Sequence, residues 1–241
     1  MSNPLIIAHT GCEGTPYNTL ESSLAGRAAG AEVLEVDVRA TKDGVCVLFH
    51  DDHTAFSELT FVEIIAQNPL QLSEGSKLEQ LETVLLEFKG QPVSFNLDIK
   101  NDEAVAPTLA LLEKLEMWEQ IYFTGATNTI TNSSYRARVM WNTPETLRAM
   151  NDSEYDATAQ EMCSMAKQAG YSGVNVDYPS CRPVLVQYAH EQGLRVWIYT
   201  LQDQSLFAAY EDMKVDAIST IDVSAVVSAR ARRHSTAPSQ I

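Results

Sequence analysis

The strongest constraint on this chain is an alternation. Short apolar runs and amphipathic stretches take turns along nearly its whole length. Strand-like runs stand at Pro4–His9, Ala31–Val38, Val45–Phe49, Val93–Lys100, Ile121–Gly125, Arg138–Trp141, Gly173–Val176, Arg195–Thr200 and Ala217–Thr220. Helical patterns separate most of them. One is Thr19–Ala29, with Leu20, Leu24 and Ala28 at four-residue spacing; another is Lys77–Phe88, with Leu78, Leu81, Val84, Leu85 and Phe88 on one face. Strands alternating with helices build βα units and a parallel sheet covered by helices. No Pro/Gly/Ser linker interrupts the repeat, and 241 residues suit one α/β barrel of about 250. The expected architecture is therefore a single (β/α)8 barrel over residues 1–229, with 230–241 as a polar, disordered tail. Nine runs are one too many for eight strands, and Asp37 to Val45 is too short for a crossover helix. Either the chain returns there as an extended loop, or one run is not a barrel strand.

Charge narrows the partners. Lys and Arg number 17 against 32 Asp and Glu, a formal net charge of −15. A nucleic-acid partner would need a basic stripe, which is missing before the last few residues. No apolar run reaches 18 residues, so no integral membrane segment is expected. The first residues lack the basic start of a signal peptide, and the expectation is a cytoplasmic protein. Cys12, Cys46, Cys163 and Cys181 form no Cys-x-x-Cys pair and read as reduced, buried thiols. Gly-rich nucleotide loops and the Gly-x-Ser-x-Gly elbow are absent too. Nothing in the sequence addresses oligomeric state.

The conspicuous polar residues sit at or just past strand ends. His9 closes the first run; Glu35 and Asp37 lie near the end of the second; His50 and Asp51 end the third; Asp98 and Lys100 end the fourth. In a barrel these ends form one rim, where residues distant in sequence converge. Glu35 and Asp37 are two apart, so they leave the same strand face while Val36 and Val38 leave the other. Two inward carboxylates repel, and burial makes the repulsion expensive. A hard divalent cation, Mg²⁺ or Ca²⁺, resolves that cost, with Asp98 as a third oxygen ligand. The alternative is an ion-pair network with Arg39 and Lys100. His9 and His50 suit a general acid and base, because imidazole titrates near neutrality. Lys100 offers a point charge to a phosphate oxygen, or simply pairs with Asp98. Trp197, in a strand, faces either the barrel interior or the helices.

These residues carry a resemblance. Ile6-Ile7-Ala8-His9-Thr10-Gly11, Asn18-Thr19, Glu35-Val36-Asp37-Val38-Arg39-Ala40-Thr41-Lys42-Asp43-Gly44 and Phe49-His50-Asp51 resemble the glycerophosphodiester phosphodiesterase family. Looser matches follow at Leu97-Asp98-Ile99-Lys100, Gly193-Leu194-Arg195-Val196-Trp197 and Val215-Asp216-Ala217-Ile218-Ser219-Thr220. The resemblance implies a TIM barrel that uses one divalent metal to hydrolyse a small phosphodiester to an alcohol and glycerol 3-phosphate. It implies His9 and His50 as acid and base, and Glu35, Asp37 and Asp98 as metal ligands. It places Lys100 on the phosphate and Trp197 in the substrate pocket. Two departures stand out: Thr10 replaces a family Arg, and Tyr17 replaces a Glu. Arg39 would substitute for the lost phosphate ligand if it reached inward. The segment after His50-Asp51 is short, implying a reduced insertion after the third strand. The alternatives are a non-catalytic barrel that binds phosphorylated metabolites, and a phosphodiesterase acting on lysophospholipids.

Overall fold

A computed structural model describes residues 3–73 and 75–235. Nine strands are present among them: β1 (Leu5–Ala8), β2 (Val33–Ala40), β3 (Cys46–Leu48), β4 (Ser94–Ile99), β5 (Ile121–Gly125), β6 (Met140–Asn142), β7 (Gly173–Asp177), β8 (Arg195–Leu201) and β9 (Ala217–Thr220). Eight of them are parallel, in the order β5-β4-β2-β1-β9-β8-β7-β6. A parallel bridge between Phe123 and Val139 brings the two ends of that sheet together, so the barrel is nearly closed.

The ninth run resolves the counting problem. Among the described strands β3 pairs only with β2, antiparallel, with Val38 opposite Leu48 and Ala40 opposite Cys46. It is the return arm of a hairpin rather than a barrel strand, so no crossover helix is needed. Its turn is local chemistry. The Thr41 hydroxyl donates to Asp43 at 2.6 Å and accepts from Val45 N at 3.1 Å, while Gly44 takes φ 78°.

Helices fill most of the connections. α1 (Leu20–Ala28) joins β1 to β2. α2 (Ala55–Glu58), α3 (Phe61–Gln67) and α4 (Leu81–Phe88) lie between β3 and β4. α5 (Val105–Leu115), α6 (Asp152–Ala169), α7 (Pro183–Glu191) and α8 (Phe207–Met213) follow, each ahead of a barrel strand, and α9 (Val223–Ser235) comes last. The β5–β6 connection uses only 3-10 turns, at Asn128–Asn132 and Ser134–Arg138, and this is also where the barrel seam is thinnest. Local signals set the helix ends. Thr60 with Glu63, and Asn151 with Glu154, form capping boxes, and Gly170 closes α6 at φ 76°.

Two sequence expectations change. α1 is helical, but it buries Ser22, Ser23 and Gly26 while Leu24 is exposed. A Cβ on Gly26 would lie 2.5 Å from that of Ala8, so only a small face lets the helix sit this close to β1. The expected tail begins too early: residues 230–235 continue α9, and Arg230 pairs with Glu32 at 2.9 Å. Residues 236–241 lie outside the described part.

The main core lies between strands and helices, built from Ile6, Leu34, Val36, Leu97, Phe123, Val174, Val196 and Ile198 and the helix faces over them. The segment between β3 and α4 has a smaller core of its own, with Val47, Phe56, Ile64, Leu70 and Leu78. That is the short insertion after the third strand. The barrel interior is layered. Ile7, Val33, Met140, Trp197 and Ala217 plug the floor. Two residues further along the same strands stand His9, Glu35, Asn142, Tyr199 and Ser219, which line the mouth.

Candidate active site

β2 builds the centre of the mouth. Strand alternation turns Glu35 and Asp37 inward, and β4 lies in register beside it with Asp98 opposite Asp37. Oxygen atoms of Glu35, Asp37 and Asp98 all lie within 4.8 Å of one another. The ion-pair alternative is also realised: the Lys100 ammonium stands 2.7 Å from Asp37 and 2.5 Å from Asp98. One ammonium against three ionised carboxylates leaves the cluster two positive charges short.

Electrostatics records the shortfall. Burial, followed by the charges of Asp37 and Asp98, pushes the Glu35 carboxyl well above its ordinary range. The Thr10 N–H and Lys100 oppose that push. Burial works to lower Lys100, but Asp98 and Asp37 outweigh it and hold the ammonium charged above its ordinary range. An all-oxygen donor set with two charges unbalanced fits a hard divalent cation better than a thiophilic metal.

Backbone and amide groups aim the carboxylates. Thr10 N donates to Glu35 Oε2 at 3.0 Å. Asn18 grips Asp37 twice: its Nδ2 donates to Oδ2 at 2.8 Å, and its Oδ1 accepts from the Asp37 N–H at 3.0 Å. Asn18 is buried with φ 58°, a left-handed conformation that asparagine tolerates. Thr124 Oγ1 donates to Asp98 Oδ1 at 3.1 Å. Gly125 takes φ 78° beside it, where a Cβ would sit 2.5 Å from the Asp98 carboxylate and 2.2 Å from the Ile99 carbonyl.

The histidines arrive by different routes. His9 follows β1 directly. Its Nδ1 lies 2.8 Å from the Thr10 carbonyl, which can only accept, so Nδ1 carries the proton and Nε2 faces Glu35 at 3.8 Å. His50 does not cap a barrel strand, contrary to the strand-end reading. β2 overshoots the rim, and β3 brings the chain back until Phe49 N bonds the Asp37 carbonyl at 3.1 Å. The next residue is His50, which thus returns to rim level with its Nδ1 on Asp51 at 2.8 Å. His9, Asn18, Asp37 and His50 line one cavity of about 370 Å³.

Two expected substrate contacts lie elsewhere. Arg39 does not reach inward. Its Nε and Nη2 donate to the His50 carbonyl at 3.3 and 2.9 Å, and its Nη1 to Asp52 at 3.1 Å. It holds the loop that carries His50. Trp197 is fully buried in the barrel floor. On β8 the aromatic residue at the mouth is Tyr199, one inward position further along. Thr10 is buried, and its hydroxyl accepts the Asn18 N–H at 2.5 Å, so it organises the loop instead of replacing a phosphate ligand. The strand-end argument overlooked Asn18, Thr124 and Tyr199. The first was visible only as part of Asn18-Thr19, and Tyr199 from its inward spacing relative to Trp197.

Comparisons with known proteins identify the family. The probable glycerophosphodiester phosphodiesterase 2 of Mycobacterium tuberculosis is 23% identical over 239 residues, covering 90% of this chain and 86% of that protein. A glycerophosphodiester phosphodiesterase structure from Parabacteroides distasonis superposes with a TM-score of 0.75 at 22% identity, covering 97% of this chain and 98% of that one. One from Thermotoga maritima gives 0.75 at 19%, covering 95% and 100%. The sequence pattern of the glycerophosphoryl diester phosphodiesterase family matches residues 9–224. The chain therefore belongs to the glycerophosphoryl diester phosphodiesterase family and is a phosphoric diester hydrolase.

Proposed function

We propose that this protein hydrolyses glycerophosphodiesters to an alcohol and glycerol 3-phosphate, with His9 and His50 as the acid–base pair and Glu35, Asp37 and Asp98 as ligands of one Mg²⁺ or Ca²⁺. The observation that carries the reading is the convergence of three buried or half-buried carboxylates beside a cavity lined by both histidines. A cation bound there would supply Lewis-acid neutralisation of a phosphoryl oxygen.

The chain's own groups do the rest. Lys100 adds positive charge where negative charge grows on phosphorus-bound oxygen. One imidazole takes the proton of the attacking hydroxyl, from water or from the substrate's glycerol. The other gives a proton to the departing alkoxide. Over the whole reaction the ester P–O bond breaks, the oxygen of water ends on phosphorus, one of its hydrogens ends on the alcohol and the other goes with the phosphate monoester. Thr10 O and Asp51 hold the two Nδ1 protons and leave each Nε2 for this work.

The test is release of glycerol 3-phosphate from glycerophosphodiesters with Mg²⁺, Ca²⁺ or EDTA, for the wild type, His9→Ala and Glu35→Ala. Activity abolished by EDTA and by each substitution supports the reading. Activity that survives EDTA in a folded protein would remove the metal from it, and survival in His9→Ala would remove the histidine pair.

A further inference from the structure

The mouth has two lobes that share His9. One, of about 70 Å³, is bordered by Asn96, Thr124, Asn142, Asn175 and Tyr199. The other, of about 370 Å³, lies between β1–β2 and the insertion. Small-molecule sites span about 300–1,000 Å³, so only the second has room for a substituent of any length.

The walls of the two lobes differ in chemistry. The small lobe presents amides and hydroxyls, partners for a polyol. The large lobe runs outward from His9, Asn18, Asp37 and His50 along Tyr17, Leu48, Phe49 and Leu72. The Tyr17 ring, 57% exposed, forms one wall. It packs where a Cβ on Gly11 would be, 2.7 Å away, and meets His9 edge-on at 6.4 Å between centroids. At the outer end stands Lys77, largely exposed, with Glu79 at 3.6 Å. Asp51 lines the same lobe, with one carboxylate oxygen 2.8 Å from His50 Nδ1.

We infer that the large lobe is the alcohol subsite and that it selects an uncharged, apolar alcohol, while the glycerol half lies over the amide-lined lobe. This rests on the hydrolytic reading above and adds the class of ester to it. Apolar walls gain from covering methylenes, whereas a quaternary ammonium would lose water against Leu48, Phe49 and Leu72 and be repelled by the Lys77 ammonium at the outer end.

The experiment is kcat/KM for glycerophosphomethanol, glycerophosphopropanol, glycerophosphopentanol and glycerophosphocholine, paired with calorimetric binding of the same diesters to His9→Ala. For the wild type, kcat/KM is expected to rise about two- to fourfold per methylene, as burial of a methylene predicts, with the choline ester below the pentyl ester. Tyr17→Ser and Leu72→Asn are expected to flatten the chain-length slope, and Lys77→Glu to raise the choline ester relative to the pentyl ester. A flat or falling slope, or a wild-type preference for choline, overturns the subsite. If no diester is hydrolysed but binding still tightens with chain length, the hydrolytic reading fails and the subsite stands. If neither depends on chain length, the subsite fails.

Discussion

Asn18 and Arg39 each hold a residue to which the proposed function gives a role, Asn18 the carboxylate of Asp37 and Arg39 the backbone of His50. Asn18 supplies a donor to the Asp37 carboxylate and an acceptor to its backbone N–H. Asn18→Asp removes the donor and sets a second carboxylate against the first. Since losing such an outer partner typically costs 10–100-fold in metal affinity, calorimetry with Ca²⁺ or Mg²⁺ should show weakening of about that size. Arg39 places two N–H groups on the His50 carbonyl and lies over the Phe56 ring, 5.8 Å from its centroid. Arg39→Met keeps the apolar stem and removes the fork. Its expected mark is a fall in kcat of about tenfold or more with KM little changed, because the histidine loses its position while substrate contacts remain. Arg39→Lys should restore only part of that loss, since an ammonium cannot reproduce the fork. An equal loss in KM alone would instead make Arg39 a substrate contact.

At the scale of elements, the β2–β3 hairpin and the β4–β5 pair decide whether the site assembles. Gly125 ends β5 at φ 78° with the Ile99 carbonyl 2.2 Å from where a Cβ would stand. Gly125→Ala therefore forces β5 away from β4 next to Asp98, and combines a backbone strain of about 1–3 kcal/mol with a steric clash. Urea unfolding should show a loss of at least that size, together with weaker metal binding. An unchanged midpoint would mean that the strand edge yields without cost. Much of this level could be read from residue order. The nine runs all became strands, and period-two alternation put Glu35 and Asp37 on one face. The direction of β3 could not be read, because a short apolar run looks the same whether it continues a barrel or folds back on its neighbour. Hence His50 reaches the rim along a different path from the one its strand-end position implies. α1 misled for a related reason: leucine spacing advertised a buried face, but closeness to β1 selects the Ser22, Ser23 and Gly26 side instead. Trp197 and Tyr199 share one strand face, and only the depth of the floor layer separates packing from mouth.

For the whole molecule, the question is how a chain of net charge −15 tolerates another concentration of negative charge inside its barrel. Part of the answer is that Glu35 keeps its proton to higher pH than an ordinary glutamate. The native protein then binds a proton that the unfolded chain releases above its ordinary value of 4.5. Linkage sets the sign: this contribution to stability is complete below that value and declines as pH rises toward the raised native pKa. A divalent cation held by Glu35, Asp37 and Asp98 would reverse the balance, because it would favour the ionised cluster over the protonated one. At 100 times its dissociation constant a ligand adds about 2.7 kcal/mol to stability. The metal-free protein in EDTA should therefore lose unfolding free energy between pH 5 and pH 8, and saturating Ca²⁺ should stabilise it more at pH 8 than at pH 5. General screening of the acidic surface would raise stability as well, so each Ca²⁺ sample needs a NaCl partner at equal ionic strength. Glu35→Gln separates the two effects. It removes the titrating group while leaving the surface charge nearly unchanged, so the pH slope in EDTA should shrink and the extra Ca²⁺ effect at pH 8 should fall toward that of NaCl. A slope that persists in Glu35→Gln would move the origin of the pH dependence from the barrel mouth to the surface.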